Sequence, residues 1–221
     1  MVSHKGYKGV GMNGFIARSY DKNAQRYSLE IYKYWALQLT KQIPENSCVL
    51  EVAPGPGYLA IELAKQKKYD ITAIEISETF VDIAKKNAAE FGVNVNFLHG
   101  NASSIPFEKG SFDFVICTSS FKNFSEPMEA LDEMHRVLKS DGKAWISDLR
   151  GDVTDGTIND FVKNEMKAKG LNGFFMRQTF KKMLRPRAYT SEQFKRIAQK
   201  TEFSRITITN NAMDFEALLE K

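Results

Sequence analysis

The residues with the clearest chemical content lie in VLEVAPGPGYLAIELAK, residues 49–65. An apolar run passes Glu51, the chain then crosses Pro54, Gly55, Pro56 and Gly57, and helix-forming residues follow at once. Glycines in such a turn let the backbone approach a bound group, and the free N–H groups and partial positive charge of the next helix favour a nucleotide or a carboxylate. Gly55, Gly57 and Ala60 fit the GxGxxA spacing of a dinucleotide turn, and Glu75 follows Gly55 by twenty residues at the end of another apolar run. The same spacing also suits a plain tight strand-to-helix turn. Glu51 adds chemistry of its own, because a carboxylate four residues before Gly55 repels a pyrophosphate and attracts an ammonium group. That suits an amino acid better than a dinucleotide, and the chain holds no YxxxK pair for a hydride-transfer site. An NAD(P)-dependent oxidoreductase and a non-catalytic nucleotide-binding module stay open as alternatives of another class.

These residues need elements to position them. Strand character appears at residues 48–53, 70–75, 95–99, 112–118 and 143–149, with helix-like segments in the gaps. After Ser77, which is placed to cap, Val81, Ala84, Ala88 and Phe91 recur at helical steps and predict one buried stripe. Between the fourth and fifth strands, Ser125 is the expected cap, Pro127 falls in the first turn, Leu131, Met134 and Leu138 form the stripe, and Gly142 stops the helix. Strand and helix therefore alternate, which predicts an α/β fold with a mostly parallel sheet covered on both faces. Residues 21–41 read as one or two amphipathic helices, residues 155–169 and a segment from Ser191 as further helices, and residues 205–209 and 212–219 as a final strand pair. Ligands in open parallel sheets settle beyond the carboxyl ends of the strands, so the flanks are expected to cover that edge.

Composition bounds the class. With 221 residues and 43% hydrophobic content, the chain can bury a large core. No stretch approaches the ~20 apolar residues that span a bilayer, and the N-terminus lacks the apolar centre of a secretory signal, so a cytoplasmic protein with no membrane partner is expected. Cys48 and Cys117 fall in strand-like runs without metal-ligand companions, which points to neither a disulfide nor a metal site. Residues 163–205 hold twelve Lys and Arg against three Glu, a net +9 inside a total of +4. A solvated basic face and a polyanion site both fit that imbalance.

The ordered motifs resemble the class I S-adenosylmethionine-dependent methyltransferases, specifically the bacterial set acting mostly on small molecules. The resemblance covers about residues 45–150. The acid-x-Gly-x-Gly-x-Gly motif is matched by Glu51, Ala53, Gly55 and Gly57, with Ala53 a departure that is tolerable on a backbone of negative φ. The resemblance assigns Glu75 to the ribose hydroxyls and Ile76 to the flank of the adenine. HGNASSIPF, residues 99–107, matches the third motif with Asn101 where the family carries Asp, followed by Ala102 and Ser103; the amide oxygen can still accept from the adenine amine. FDFVICTSSFKNF, residues 112–124, delivers Thr118 and Ser119 beside the methionine portion. The implied fold is a Rossmann-like, seven-stranded, mostly parallel sheet with an antiparallel final strand, an N-terminal helical cap (1–44) on a methyltransferase domain (45–221), and residues 150–204 covering the substrate. The implied activity is methyl transfer from S-adenosyl-L-methionine to a small-molecule acceptor, leaving S-adenosyl-L-homocysteine.

In-line displacement at a sulfonium carbon needs positioning above all, and a base only for acceptors such as hydroxyls. His4, His99 and His135 read as structural or incidental, and Cys117 is too apolar in setting for a nucleophile. Tyr20, Lys122 and Asn123 are the candidate catalytic residues, Tyr20 also by its similarity to a cofactor-contacting tyrosine of the family's cap. Phe15, Phe121, Lys122, Asn123, Arg150 and Arg177 are candidate substrate contacts, with Phe174, Phe175 and Phe180 as further walls and Arg185 and Arg187 as further anion contacts. RNA methylation on the 163–205 surface is the alternative within the family, although no Asn-Pro-Pro-aromatic run follows the fourth strand.

Overall fold

A computed structural model describes residues 6–8 and 11–221. Its seven strands are β1 Cys48–Val52, β2 Asp70–Glu75, β3 Asn96–His99, β4 Phe112–Thr118, β5 Leu138–Leu149, β6 Arg205–Asn210 and β7 Asp214–Glu220. They form one sheet in the order β3-β2-β1-β4-β5-β7-β6. β1 pairs in parallel with β2 and β4, placing Glu51 beside Ala73 on one side and Ile116 on the other. β7 runs antiparallel between β5 and β6. The parallel neighbours require crossovers, which α3 Tyr58–Ala64, α4 Glu78–Glu90 and α5 Pro127–Val137 supply.

Two-residue alternation sorts the strands' side chains onto two faces. Leu50, Val52, Val115, Cys117 and Ile146 pack beneath α5 and α8 Ser191–Ala198, through Leu131, Met134 and Phe194. Val49, Ala73, Phe114, Ile116 and Trp145 lie on the other face, under Leu39, Leu59 and Ala84 of the N-terminal helices, α3 and α4. Each large apolar side chain so buried contributes roughly 1.5–3 kcal/mol relative to exposure. Ser77 caps α4, its Oγ accepting from the Phe80 N–H at 3.3 Å.

Several boundaries differ from the sequence expectation for local reasons. The cap extends further towards the N-terminus, as α1 Gly14–Tyr27 and α2 Leu29–Leu39. α5 stops at Val137, not at Gly142. Leu138 is buried in the sheet opposite Phe112, and pairing resumes only at Phe114 with Lys143, so residues 139–142 bulge out. Gly142 serves that bulge, where an added Cβ would come within 3.0 Å of the Lys139 carbonyl. Glu126, not Ser125, precedes the first turn of α5, and the Ser125 hydroxyl instead accepts the Gly6 N–H at 2.9 Å. Phe91 lies past the end of α4 and is 38% exposed; of the expected stripe Val81, Ala84 and Ala88 are buried, with Phe80 and Asn87 beside them.

Residues 150–204 fold as α6 Asp155–Asp160, a wide π turn Phe161–Glu165, α7 Gly170–Thr179, a second π turn Phe180–Leu184, a 3-10 turn Arg185–Arg187, and α8. They build a third apolar cluster around Leu149, Val153, Ile158 and Val162, onto which Tyr27 of α1 packs. Among the described residues no helix is long and apolar enough to cross a membrane.

The glycine turn makes a graded test. Gly57 has φ +80°, and a Cβ there would meet Phe97 Cζ at 2.7 Å and Ala84 Cβ at 3.0 Å, whereas a Cβ on Gly55 meets nothing within 4 Å. Gly57→Ala should lower unfolding stability by about 2–4 kcal/mol, and Gly55→Ala by about 1 kcal/mol, in urea titrations.

Candidate active site

The chain leaves β1 through three left-handed residues, Ala53 at φ +58°, Gly55 at +57° and Gly57 at +80°. Alanine at this position is free of strain only at negative φ; the φ is positive, so Ala53 carries roughly 1 kcal/mol of strain. The residue is pinned regardless, its N–H donating to the Ile74 carbonyl at 2.8 Å and its carbonyl accepting from the Ser120 hydroxyl at 3.1 Å. Gly57 faces the packed core, so its glycine requirement is steric, while Gly55 opens towards the strand ends. Behind the turn, Asn87 Nδ2 donates to the Pro56 carbonyl at 3.0 Å and to Asp21 at 3.2 Å, and Asp21 also accepts from the Tyr58 hydroxyl at 2.7 Å. These bonds fasten α1 to the turn.

Two buried carboxyl groups flank it. Glu75 Oε2 accepts from the Gly55 N–H at 3.0 Å and Oε1 from the Ser77 N–H at 2.9 Å. Each oxygen keeps a second lone pair for a hydroxyl. Burial raises the Glu75 pKa, and the backbone N–H groups of Ser77, Gly55 and Ile76 oppose the rise. Glu51 is 1% exposed, and Oε2 has no hydrogen-bond partner among the described residues. Burial pushes its pKa up to about 8; the Ala60 N–H opposes the rise and the charge of Glu75 adds to it. Tyr32, whose hydroxyl burial holds well above its usual range, lies near both Glu51 and Tyr20. A buried acceptor without a donor costs about 1–3 kcal/mol, a cost that a hydrogen-bond donor reaching this corner would relieve.

The other site residues fall around the same edge. Ile76 follows Glu75, and its carbonyl meets His99 Nε2 at 3.1 Å. Asn101 Oδ1 accepts from the Ser103 N–H at 3.1 Å and the Ser103 hydroxyl at 3.0 Å, so the oxygen expected to meet an adenine amine is spent within its own loop. Ala102 is buried beside it. Gly6 presses onto this loop, since a Cβ there would stand 2.7 Å from both Asn101 Oδ1 and Ile76 Cδ1. Thr118 ends β4, and Ser119 follows in the left-handed region at φ +55°.

The expected substrate contacts need several corrections. Lys122 is buried, its ammonium 2.7 Å from Asp148 Oδ1 and bonded to the Ser119 carbonyl, while its N–H donates to Asp148 Oδ2 at 2.7 Å. It holds the loop after β4 together. Phe121 is a core residue, 5.0 Å from the Phe194 ring, and Phe15 turns outward on α1 with 83% exposure. Arg150 is engaged by Asp152 at 3.0 Å and the Asn211 carbonyl at 2.8 Å. Arg177 sits on α7 beside Gly173. Phe180 packs 5.7 Å from Phe161, while Phe174 and Phe175 face outward. Tyr20 packs edge-on against Phe80 at 5.7 Å. Asn123 stays in contention, because its Oδ1 is buried without a partner among the described residues. His135 stacks on Phe203, and burial lowers its pKa; burial raises that of the Cys117 thiol. His4 lies outside the described residues. The sequence reading missed Asp148, Tyr32, Tyr7, Lys8 and Tyr189; a lysine among apolar residues after β4 was the one signal that a buried acid must meet it.

Comparison with known proteins agrees with this geometry. A family model described as "Methyltransferase domain" matches residues 50–146. The ubiquinone/menaquinone biosynthesis C-methyltransferase UbiE of Rickettsia prowazekii is 31% identical over 156 residues, covering 67% of this chain and 62% of that protein. The core of the chain is a class I S-adenosylmethionine-dependent methyltransferase domain. The enzyme of the same name from Geotalea uraniireducens is 33% identical over 66% of this chain and 64% of its own length. The chain thus spans under two thirds of these relatives. Among solved structures, a SAM-dependent methyltransferase from Aquifex aeolicus shares the fold with TM-score 0.67 and 20% identity, over 92% of this chain and 96% of that one. The plantazolicin methyltransferase BamL, solved with SAH and a desmethyl analogue, does so with TM-score 0.70 and 15% identity, over 94% and 91%.

Glu51 and Ala53 give two stability tests. A carboxyl whose pKa rises from 4.5 to about 8 on folding contributes stability that is whole below pH 4.5 and lost as pH rises through 8. The melting temperature of the wild type should therefore fall more steeply from pH 5 to 8.5 than that of Glu51→Gln. Ala53→Gly should raise stability by about 0.5–1 kcal/mol in urea titrations by relieving the left-handed alanine.

Proposed function

We propose that this chain transfers a methyl group from S-adenosyl-L-methionine to a small-molecule acceptor, in the cytoplasm. The observation that carries the reading is the buried Glu51 oxygen without a partner among the described residues, within electrostatic reach of a Glu75 carboxylate that accepts the Gly55 N–H. That pair suits a ligand with an ammonium group at one end and a sugar diol at the other. Glu51 would take the ammonium of the donor's amino-acid end, bordered by Ala53, Gly55 and Gly57. Glu75 would accept from both ribose hydroxyls, Ile76 would flank the adenine, and the loop of Asn101, Ala102 and Ser103 would close on its edge. Thr118 and Ser119 would border the sulfonium, with Tyr20 covering it from the cap. The donor, when bound, supplies a methyl group on a positively charged sulfur with a neutral thioether as leaving group. The chain's own part is to align an acceptor at near-attack distance and exclude water. His99 and His135 both make structural contacts, so proton removal is not assigned to either.

Residues 1–44 and 150–204 act in this reading as the cover that selects the acceptor, on a domain of residues 45–221. The free cysteines Cys48 and Cys117 support a reducing compartment. The basic 163–205 surface is partly neutralised, with Lys181 and Arg185 on Asp155 and Arg205 on Glu220, which argues against a continuous RNA groove.

A thermal-shift series with S-adenosylmethionine, S-adenosylhomocysteine, NAD and NADP tests the reading. Both adenosyl ligands at a hundredfold excess over Kd should stabilise by about 2.7 kcal/mol, a rise of roughly 5–10 °C, and Glu75→Ala should abolish it. A shift by NAD alone would reverse the assignment. S-adenosylhomocysteine affinity should also rise from pH 6 to pH 8, as Glu51 ionises near its pKa of about 8, and Glu51→Gln should flatten that rise.

A further inference from the structure

We propose that Lys8 and Arg187 form a receptor for a negatively charged group on the methyl acceptor. The inference rests on the methyl-transfer reading and names the substrate class of that site. Residues 6–8 lie across the strand ends: the Gly6 N–H donates to the Ser125 hydroxyl at 2.9 Å and the Lys8 N–H to the Asn123 carbonyl at 2.7 Å. This fixes Tyr7 and Lys8 against the 3-10 turn and the chain after it. The Lys8 ammonium donates to the Tyr189 hydroxyl at 2.6 Å and stands 4.7 Å from the ring centroid. Burial raises the Tyr7 pKa and the nearby Arg187 charge opposes the rise, while Glu75 and Tyr20 add to it, so Tyr7 stands within electrostatic reach of all three. The 7–8 segment thus meets 187–189 through the Lys8–Tyr189 contact, with the Arg187 charge close to Tyr7.

Neither cation is neutralised. Lys122, Arg150, Lys181 and Arg185 each meet an aspartate within 4.0 Å, whereas Lys8 and Arg187 meet no carboxylate at that distance among the described residues. The residues outside that set include no Asp or Glu. Phenols orient the two cations without cancelling their charge, and holding like charges on facing segments is unfavourable until an anion joins them. The Asn123 side-chain oxygen, buried without a partner, lies in the residue that anchors Lys8 and offers an acceptor for a hydroxyl or amine N–H of the same molecule. A second source of negative charge is the donor's own carboxylate. The acceptor is favoured because Tyr189 packs 5.8 Å from Phe121, on the β4 side, while the donor's amino-acid end belongs with Glu51 and the turn after β1.

The test feeds methyl-labelled S-adenosylmethionine and a total metabolite extract to the full chain and resolves labelled products on an anion exchanger at neutral pH. The label should be retained there. With that fraction as acceptor at subsaturating concentration, Lys8→Gln and Arg187→Gln should each lower the rate at least tenfold, Lys8→Arg and Arg187→Lys should restore most of it, and calorimetric Kd values for S-adenosylhomocysteine should stay within twofold of wild type. A labelled product other than residual S-adenosylmethionine in the unretained fraction overturns the receptor while leaving methyl transfer standing. Unchanged rates in both Gln variants overturn it too. If the Gln variants weaken S-adenosylhomocysteine tenfold but leave 5′-methylthioadenosine, which lacks the carboxylate, unaffected, the cations serve the donor and the proposal fails. No labelled product in any fraction, with S-adenosylhomocysteine still bound, overturns the receptor together with methyl transfer.

Discussion

A carboxyl group inside an apolar sheet, with one oxygen left without a hydrogen bond among the described residues, is the constraint around which this site is arranged. Glu51 occupies an interior strand, between Ala73 and Ile116, where a side chain is taken out of water by neighbours on both sides. Its burial serves stability poorly, as the upward displacement of its pKa shows. After the buried Val52 that ends the strand, the surrounding structure places the glycine turn. That turn in turn needs left-handed backbone at three positions, and it needs Glu75 to receive the Gly55 N–H. The two acids are coupled electrostatically, the charge of Glu75 adding to the upward shift of the Glu51 pKa.

The second organising feature is a division of labour between sheet and cover. The sheet fixes the turn, the two acids and the loop after β4, where the buried Lys122–Asp148 pair ties one strand's exit to the next strand. Removing one partner of such a pair would leave an uncompensated buried charge, which is costlier than the pair itself is stabilising. The cover is fastened differently, through Asp21 on Tyr58, the 6–8 segment on the loops after β3 and β4, and Tyr27 on the apolar cluster of the 150–204 segment.

Much of the sheet was legible in the sequence because its signals are local. Ser77 caps the helix it precedes, Pro127 starts α5, and the alternation of strands and helices predicts the parallel core. Glu51 and Glu75 stood out because acids ending apolar runs are chemically conspicuous. What escaped depended on partners distant in the chain. The conformation of Ala53 is imposed by Ile74 and Ser120, and Lys122 has its role fixed by Asp148, twenty-six residues away. Gly142 looked like a helix stop because nothing nearby reveals that Leu138 already belongs to the sheet. Phe121 and Phe15 could not be assigned inside or outside from residue type alone, and they went opposite ways.

The two π turns in the cover, Phe161–Glu165 and Phe180–Leu184, carry an implication for divergence. A widened turn is what remains when a helix takes in one additional residue while the packed positions on either side, Ile158 and Ala168 around the first turn, keep their places. Lengthening by single steps there is decoupled from the strand ends. Descendants of this gene can thus drift in which molecules they admit, with the donor-holding framework inherited intact.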